Sequence, residues 1–368
     1  MLGLGVLAYA AAWFFGAAAL YPAATGLVLA PLAARAWVRA AAGPTRLARR
    51  PGRAALVEGE DVWVRLEAEP RSRVPAPALR IRERLARLGD QDVPLRRERR
   101  AYRGTYVLER VPRGRYVVEE SVATVEDPFG LAQVDVPLQP GPPLLVYPRL
   151  VELAELFSES GANAQDGRRL LLRRPTGFDL HSVREYEQGE SLRKVHWPTT
   201  ARRGRGVGAS FDAQVRAAGS ILRTHAARGR RAVLAVNAAH AAHVRVSSLE
   251  GDWQAALAVL AAAEPNAQRP VVELLAREGG PAARALELVV VTARVTAALA
   301  SKLLQRAQTS RGVSLVWVDT ASFAGRPTRT EPELLRLQSG GVPVAVVRQG
   351  DDLRAALGGA GSRRRASA

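Results

Sequence analysis

The sequence predicts a chain in three structural parts: an N-terminal transmembrane helical hairpin, an antiparallel β-sandwich-like domain, and an α/β domain built on a parallel, doubly wound sheet. Three observations predict this. Residues 1–34 carry no charge, residues 52–148 fall into short runs that alternate apolar and polar positions, and continuous apolar runs alternate with helical stretches beyond residue 211. A chain of 368 residues has room for two ordinary domains and an additional segment.

The opening run, MLGLGVLAYAAAWFFGAAALYPAATGLVLAPLAA, is too long for a secretory signal and has its positive end on the wrong side. As one straight helix it would extend roughly 50 Å, well beyond a ~30 Å hydrocarbon core. Tyr21-Pro22 near the middle predicts a break, because proline ends one helix and suits the first turn of the next. The expectation is two short spans, about 2–20 and 23–38, within a hairpin over 1–42. Arg35, Arg39, Arg46, Arg49, Arg50 and Arg53 follow at once. By the positive-inside rule they hold that end, and the bulk of the chain, in the cytoplasm of an inner membrane, with membrane lipids as a partner.

Over 52–148, DVWVRLEAE (61–69) and RYVVEESVATV (115–125) alternate as half-buried strands do. PRGRY, EDPFG and PLQPGPP supply the turns. Short strands at this spacing predict a small antiparallel sandwich. No metal, phosphate or catalytic pattern falls here, so the expected role is structural or docking.

From 211 to 358 an amphipathic helix over 212–230 comes first. AVLAV (232–236), LELVVV (286–291), VSLVWV (313–318) and VPVAVV (342–347) then read as strands buried on both faces, with helices between them. That alternation predicts a parallel, doubly wound sheet. The tail 359–368 is small and polar, and is expected to be disordered.

Composition excludes several chemistries. There is no cysteine, which removes disulfides, thiolate zinc sites and cysteine nucleophiles. The net charge is +18, yet every basic residue except Lys194 and Lys302 is arginine, and the arginines are spread along the chain. That skew fits a GC-rich genome, and without clustering on one face no nucleic acid is expected as a partner. Attraction to anionic lipid heads is the better use of part of the charge. There is no phosphate-binding P-loop and no nucleophile elbow, and RGRGVGAS reads as a connector. His240 and His243 have a spacing that suits a metal only on a helix, and no acidic residue stands close by. Asp319, after SLVWV, lies at a strand's carboxyl end and reads either as part of a cation site with Thr320 and Ser322 or as a turn cap.

The segment 149–210 links the two domains and contains REYEQGESLRKVHWPTTARRG. Arg184, Glu185, Tyr186, Gly189, Glu190, Arg193, His196, Trp197, Ala201 and Arg202 are its candidate signature and interaction residues. The pattern resembles that of the domain of unknown function 58 family, as do RGRYVVEESVATVEDPFGLAQVDV and VYPRL upstream. Glu190 stands where the family usually has aspartate. The resemblance implies a bacterial, membrane-anchored protein with a β-rich segment and a von Willebrand factor type A-like domain. Its implied partners are a MoxR-type AAA+ ATPase and a membrane-bound transglutaminase-like protein. Only GRGVGAS separates Arg203 from the helix near Phe211, so the first, metal-site strand of a type A domain is missing and no metal is expected.

The expected function is therefore a cytoplasm-facing membrane adaptor or scaffold, without catalytic residues or cofactor, acting in the assembly or maturation of other proteins. In that reading the signature is an internal clasp of paired arginines and acids with Tyr186 and Trp197 as anchors. An exposed docking site for an acidic partner is the other use of the same arginines. The alternative function is a hydrolase or peptidase-associated enzyme using Glu185, Glu190 and His196, which requires a carboxylate and the imidazole within hydrogen-bond reach. A third reading, an anionic-surface or nucleic-acid binder, requires a contiguous arginine face.

Overall fold

A computed structural model of the chain describes residues 2–53, 55–159, 207–239, 242–276, 282, 285–309, 312–328 and 331–358. The chain divides into two compact units, Met1–Val146 and Tyr147–Ala368.

The first unit opens with the helices α1 (Leu2–Phe14) and α2 (Leu20–Ala41), joined by a turn. They pack side by side, and Gly5 permits the approach: a Cβ there would lie 2.7 Å from Cγ2 of Val28. Tyr9 and Tyr21 meet edge to face at 5.2 Å between ring centroids. The hairpin is present, but the two membrane-crossing spans are not. Among the described residues no helix is long and apolar enough to cross a membrane. At 1.5 Å per residue, the 13 residues of α1 reach only about 20 Å. α2 has 22 residues, but Pro31, Arg35 and Arg39 interrupt its apolar character. The turn comes before Pro22, which sits in the first turn of α2, where its missing N–H costs nothing.

Ten strands follow: β1 (Thr45–Pro51), β2 (Leu56–Val57), β3 (Val62–Pro70), β4 (Ala78–Leu85), β5 (Gly89–Glu98), β6 (Ala101–Leu108), β7 (Gly114–Tyr116), β8 (Val118–Glu126), β9 (Gln133–Pro137) and β10 (Leu144–Tyr147). Their alternation buries Val62, Val64, Leu66 and Ala68 of β3 against Leu79 and Ile81 of β4 and Val118, Ala123 and Val125 of β8. Each fully buried side chain of this size contributes about 1.5–3 kcal/mol.

The expected sandwich gives way to a half-barrel sheet of seven antiparallel strands in the order β1-β3-β6-β5-β4-β8-β9, with β2-β10-β7 as a smaller sheet on the same core. The reason lies in β5. Its first part, through Leu95, pairs with β4, and Arg96–Glu98 pair with β6, so one strand carries the ladder around the corner. Pro94 stands just before the switch, on a stretch paired along one edge, where a missing N–H is tolerated. Gly104 of β6 faces this bend, and a Cβ there would lie 2.4 Å from Leu95 Cδ2 and 3.1 Å from the Pro94 carbonyl oxygen.

In the second unit, α3 (Val207–Ala227) precedes a hairpin of β11 (Ala232–Val236) and β12 (Ala242–Val246). Next come α4 (Trp253–Ala262), α5 (Val271–Ala276), β13 (Glu287–Thr292), α6 (Ala297–Gln308), β14 (Gly312–Val318), α7 (Thr320–Phe323), α8 (Pro332–Ser339), β15 (Val344–Val347) and α9 (Leu353–Leu357). β13, β14 and β15 form a three-stranded parallel sheet in that order. Leu299 and Leu303 of α6 and Leu334 and Leu337 of α8 pack with Leu315 and Trp317. Val316 and Val318 pack instead with Ala213, Ala217 and Ile221 of α3 and with Leu153, Leu156 and Leu357. Burial of β14 on both faces explains why Ser314 is its one polar side chain.

The expected von Willebrand factor type A-like domain is not borne out, because the described residues show no clear pattern of that fold. AVLAV is a strand, but it pairs antiparallel with 242–246 rather than joining the parallel sheet. The five residues between those strands are too few for a crossover and enough for a hairpin. The expected doubly wound sheet is therefore not formed: the parallel sheet has three strands in simple sequence order, with α6 and α8 in one cluster against it.

Candidate functional site

The signature residues Arg184, Glu185, Tyr186, Gly189, Glu190, Arg193, His196, Trp197, Ala201 and Arg202 lie outside the described residues, as do His181 and His240. The described residues offer other constellations.

The most enclosed is a polar group inside the half-barrel. Along ALRIRERL of β4, Leu79, Ile81 and Leu85 point into the core, and Glu83 falls in the same phase with no solvent exposure. Its Oε1 accepts from Arg49 Nε at 2.6 Å and from Ser121 Oγ at 3.2 Å, and its Oε2 accepts from the Tyr106 hydroxyl at 3.2 Å. Arg49 also donates to Ser121 Oγ at 2.9 Å. Gly141 closes over the guanidinium, since a Cβ there would lie 2.8 Å from an Arg49 nitrogen. Burial pushes the Tyr106 hydroxyl well above its ordinary value, and the charge and hydrogen bond of Glu83 add to the shift. The phenol therefore stays protonated and donates. This group ties β1, β4, β6 and β8 together, and its carboxylate is taken up by an arginine, a phenol and a serine. One clue in the sequence points to it: a glutamate in the buried phase of an alternating strand needs a buried cation.

Asp319 follows β14, as expected, and is buried. Its Oδ1 accepts from the backbone N–H of Ala321 at 3.0 Å and of Ser322 at 3.4 Å, capping α7. Its Oδ2 accepts from the Thr328 hydroxyl and lies 3.8 Å from Arg348 Nε. Ser322 Oγ donates to the Asp319 carbonyl oxygen at 2.7 Å. Of the two readings, the turn cap describes this geometry.

Glu159, the last described residue before the signature segment, accepts from Arg228 at 2.5 Å and Arg230 at 2.9 Å. Burial alone would raise its carboxyl, but hydrogen bonds from Arg228, the Leu156 N–H and Arg230 outweigh it and hold the group at about 2. Nearby, burial lowers His225, with the Glu287 carboxylate opposing. His243 stands on β12, a strand, where the helical metal spacing does not apply. Among the described residues no group of three or more His, Asp or Glu side chains is placed to hold a metal ion.

The apolar surface of the hairpin is the other constellation. Leu7, Trp13, Phe14 and Phe15 are each more than 70% exposed, and Val6, Tyr9, Ala10, Val28 and Leu29 line a groove between the helices. Its lower end is fixed to the half-barrel. Val38 and Ala41 enter the core, Trp37 Nε1 donates to the Pro75 carbonyl at 3.3 Å, and Ser72 Oγ donates to the Ala40 carbonyl at 2.8 Å.

No family model and no curated protein matches the chain. Among solved structures, Cwp6 from Clostridium difficile is similar at 8% identity with a TM-score of 0.19, over 83% of this chain and 37% of that one. The chain thus spans well under half of that protein's length, and so low a likeness carries no argument.

Proposed function

We propose that the chain is a membrane-attached scaffold without a reaction of its own, held to the inner membrane by the hairpin. The supporting observation is the apolar surface of α1 and its turn, where Leu4, Leu7, Trp13, Phe14 and Phe15 face solvent within a stretch, 1–34, that carries no charge. In water such a surface is costly, because each large side chain moved into an apolar phase gains about 1.5–3 kcal/mol. With about 20 Å from turn to helix end, the hairpin lodges in the hydrocarbon from one side. Arg35 and Arg39 mark the level at which α2 re-enters the head-group layer. The half-barrel and the second unit then lie in the cytoplasm.

Following the family-like signature, the scaffold's partner is a MoxR-type AAA+ ATPase, engaged through 149–210 in the assembly or maturation of other proteins. A membrane-bound transglutaminase-like protein belongs to the same set.

The test is fractionation of cells making the full chain, with an alkaline wash of the membranes. The wild type is expected to stay with the lipid, and a Leu7→Asp, Phe14→Asp, Phe15→Asp variant to leave it. A wild type that washes off as readily as the variant would refute the attachment. Affinity purification from unwashed, detergent-solubilised membranes without any AAA+ ATPase alongside would refute the partnership.

A further inference from the structure

We infer that the end of the half-barrel from which the hairpin emerges is a docking face for anionic lipid head groups, an inference that rests on the membrane attachment proposed above. Strand register gathers the loops of that end. Thr45 at the start of β1 pairs with Pro70 at the end of β3, Ala68 pairs with Tyr102, and Glu98 pairs with Ala101. On the other flank Ala78 pairs with Glu126, which pairs with Gln133. The turn at 99–100 and the loops 71–77 and 127–132 therefore lie at one end of the sheet, the end at which Trp37 and Ala40 of α2 bond to Pro75 and Ser72.

The basic residues of this end are Arg71 and Arg73 in the loop 71–77, Arg96 and Arg97 at the end of β5, and Arg99 and Arg100 in the turn that follows. All six are exposed, and none of them forms a salt bridge among the described residues. The acids of this end are partly consumed. Glu98 pairs with Arg103 at 2.6 Å, and Asp127 accepts from the N–H groups of Phe129 and Ala132 to shape its own turn. Glu69 and Glu126 remain. On that last turn Phe129 is 80% exposed. The opposite end is mixed, with Glu58, Glu60, Asp61 and Asp90 among its arginines.

Chemistry and position agree on the occupant. An apolar hairpin that enters hydrocarbon brings the loops at its foot to the phosphate layer, whatever their composition. There the loops carry forked cations suited to phosphate oxygens and an aromatic side chain suited to the interface. A basic residue at an anionic membrane surface is worth roughly a five-fold gain in partition.

The experiment is flotation of the purified full chain with vesicles of phosphatidylcholine alone and with added phosphatidylglycerol, over a range of salt. Wild type is expected to float with both and to partition more strongly into the anionic vesicles at low salt. In Arg97→Gln, Arg99→Gln, Arg100→Gln the binding to neutral vesicles should persist, and the anionic partition should fall by about a hundred-fold, at five-fold per arginine. A control with Arg53, Arg82 and Arg115 changed to Gln removes the same charge away from that end and should keep most of the gain. Failure of the wild type to float on neutral vesicles would refute the attachment itself. Normal neutral binding with the anionic gain intact in the turn variant, or lost equally in the control, would overturn the docking face alone.

Discussion

Changing Glu83 to Gln keeps the shape of the side chain and removes its charge. The guanidinium of Arg49, whose side chain is only 11% exposed, then has no counter-charge, and the Tyr106 and Ser121 hydroxyls lose an anionic acceptor. Breaking a buried pair from one side costs about 3–5 kcal/mol, because the remaining charge is stranded. For a unit of this size that corresponds to a fall in Tm of roughly 6–20 °C. Replacing both partners by leucine should cost less than the sum of the two single changes, since apolar residues substitute well for a buried ion pair and the residual cost is the orphaned Tyr106 and Ser121 hydroxyls. The assay is thermal unfolding of the full chain in detergent by far-ultraviolet circular dichroism, run as a double-mutant cycle. The reasoning fails if Glu83→Gln melts within about 2 °C of wild type, or if the double change costs the sum of the two single ones.

Asp319→Ala should destabilise the second unit by about 1–2 kcal/mol through loss of the α7 cap, with Asp319→Asn retaining most of it, as read by urea unfolding. Added magnesium or calcium should leave wild-type stability unchanged there, and a rise would restore the cation reading. For Glu159 the folded carboxyl titrates at about 2 and an unperturbed one at 4.5, so its stabilisation is complete above 4.5 and is lost as the pH falls from there towards 2. Allowing for solvent screening of a partly exposed group, wild type and Glu159→Gln should differ by about 1–2 kcal/mol near neutrality and converge across that window. A constant difference at every pH would refute this assignment.

The parts of the fold legible in the sequence were those that burial alone dictates. The uncharged opening run announces a hairpin, and the nearly continuous apolar run of β14 announces a strand covered on both faces. What burial does not encode was harder to read. Ala232–Val236 is as apolar as a parallel strand, but its partner is set by the short connection to Ala242–Val246. RYVVEESVATV reads as one strand, whereas Tyr116 ends β7 in the small sheet and Val118 begins β8 in the large one. The bend that makes a half-barrel depends on Gly104 lying against Leu95 and Pro94, a contact between strands that no local pattern carries. For the site, Asp319 was placed correctly from the strand before it, and the Arg49–Glu83 pair spans two strands distant in the chain.

The arginines after the hairpin show how a charge-counting rule and a fold divide the same residues. All six of Arg35, Arg39, Arg46, Arg49, Arg50 and Arg53 count equally in a topology argument. In the structure Arg49 turns inward to Glu83, and Arg53 meets Glu60 at 2.9 Å. Arg50 stands at the edge strand, 3.9 Å from Glu67. Arg35 and Arg39 remain on the helix itself. Other arginines far along the chain, in the loop at 71–73 and at 96–100 across the end of β5 and its turn, are brought by strand pairing to the end of the sheet where β1 begins. A sequence window beside the apolar run therefore misjudges where the basic surface lies, because the register of β3, β5 and β6 sets it.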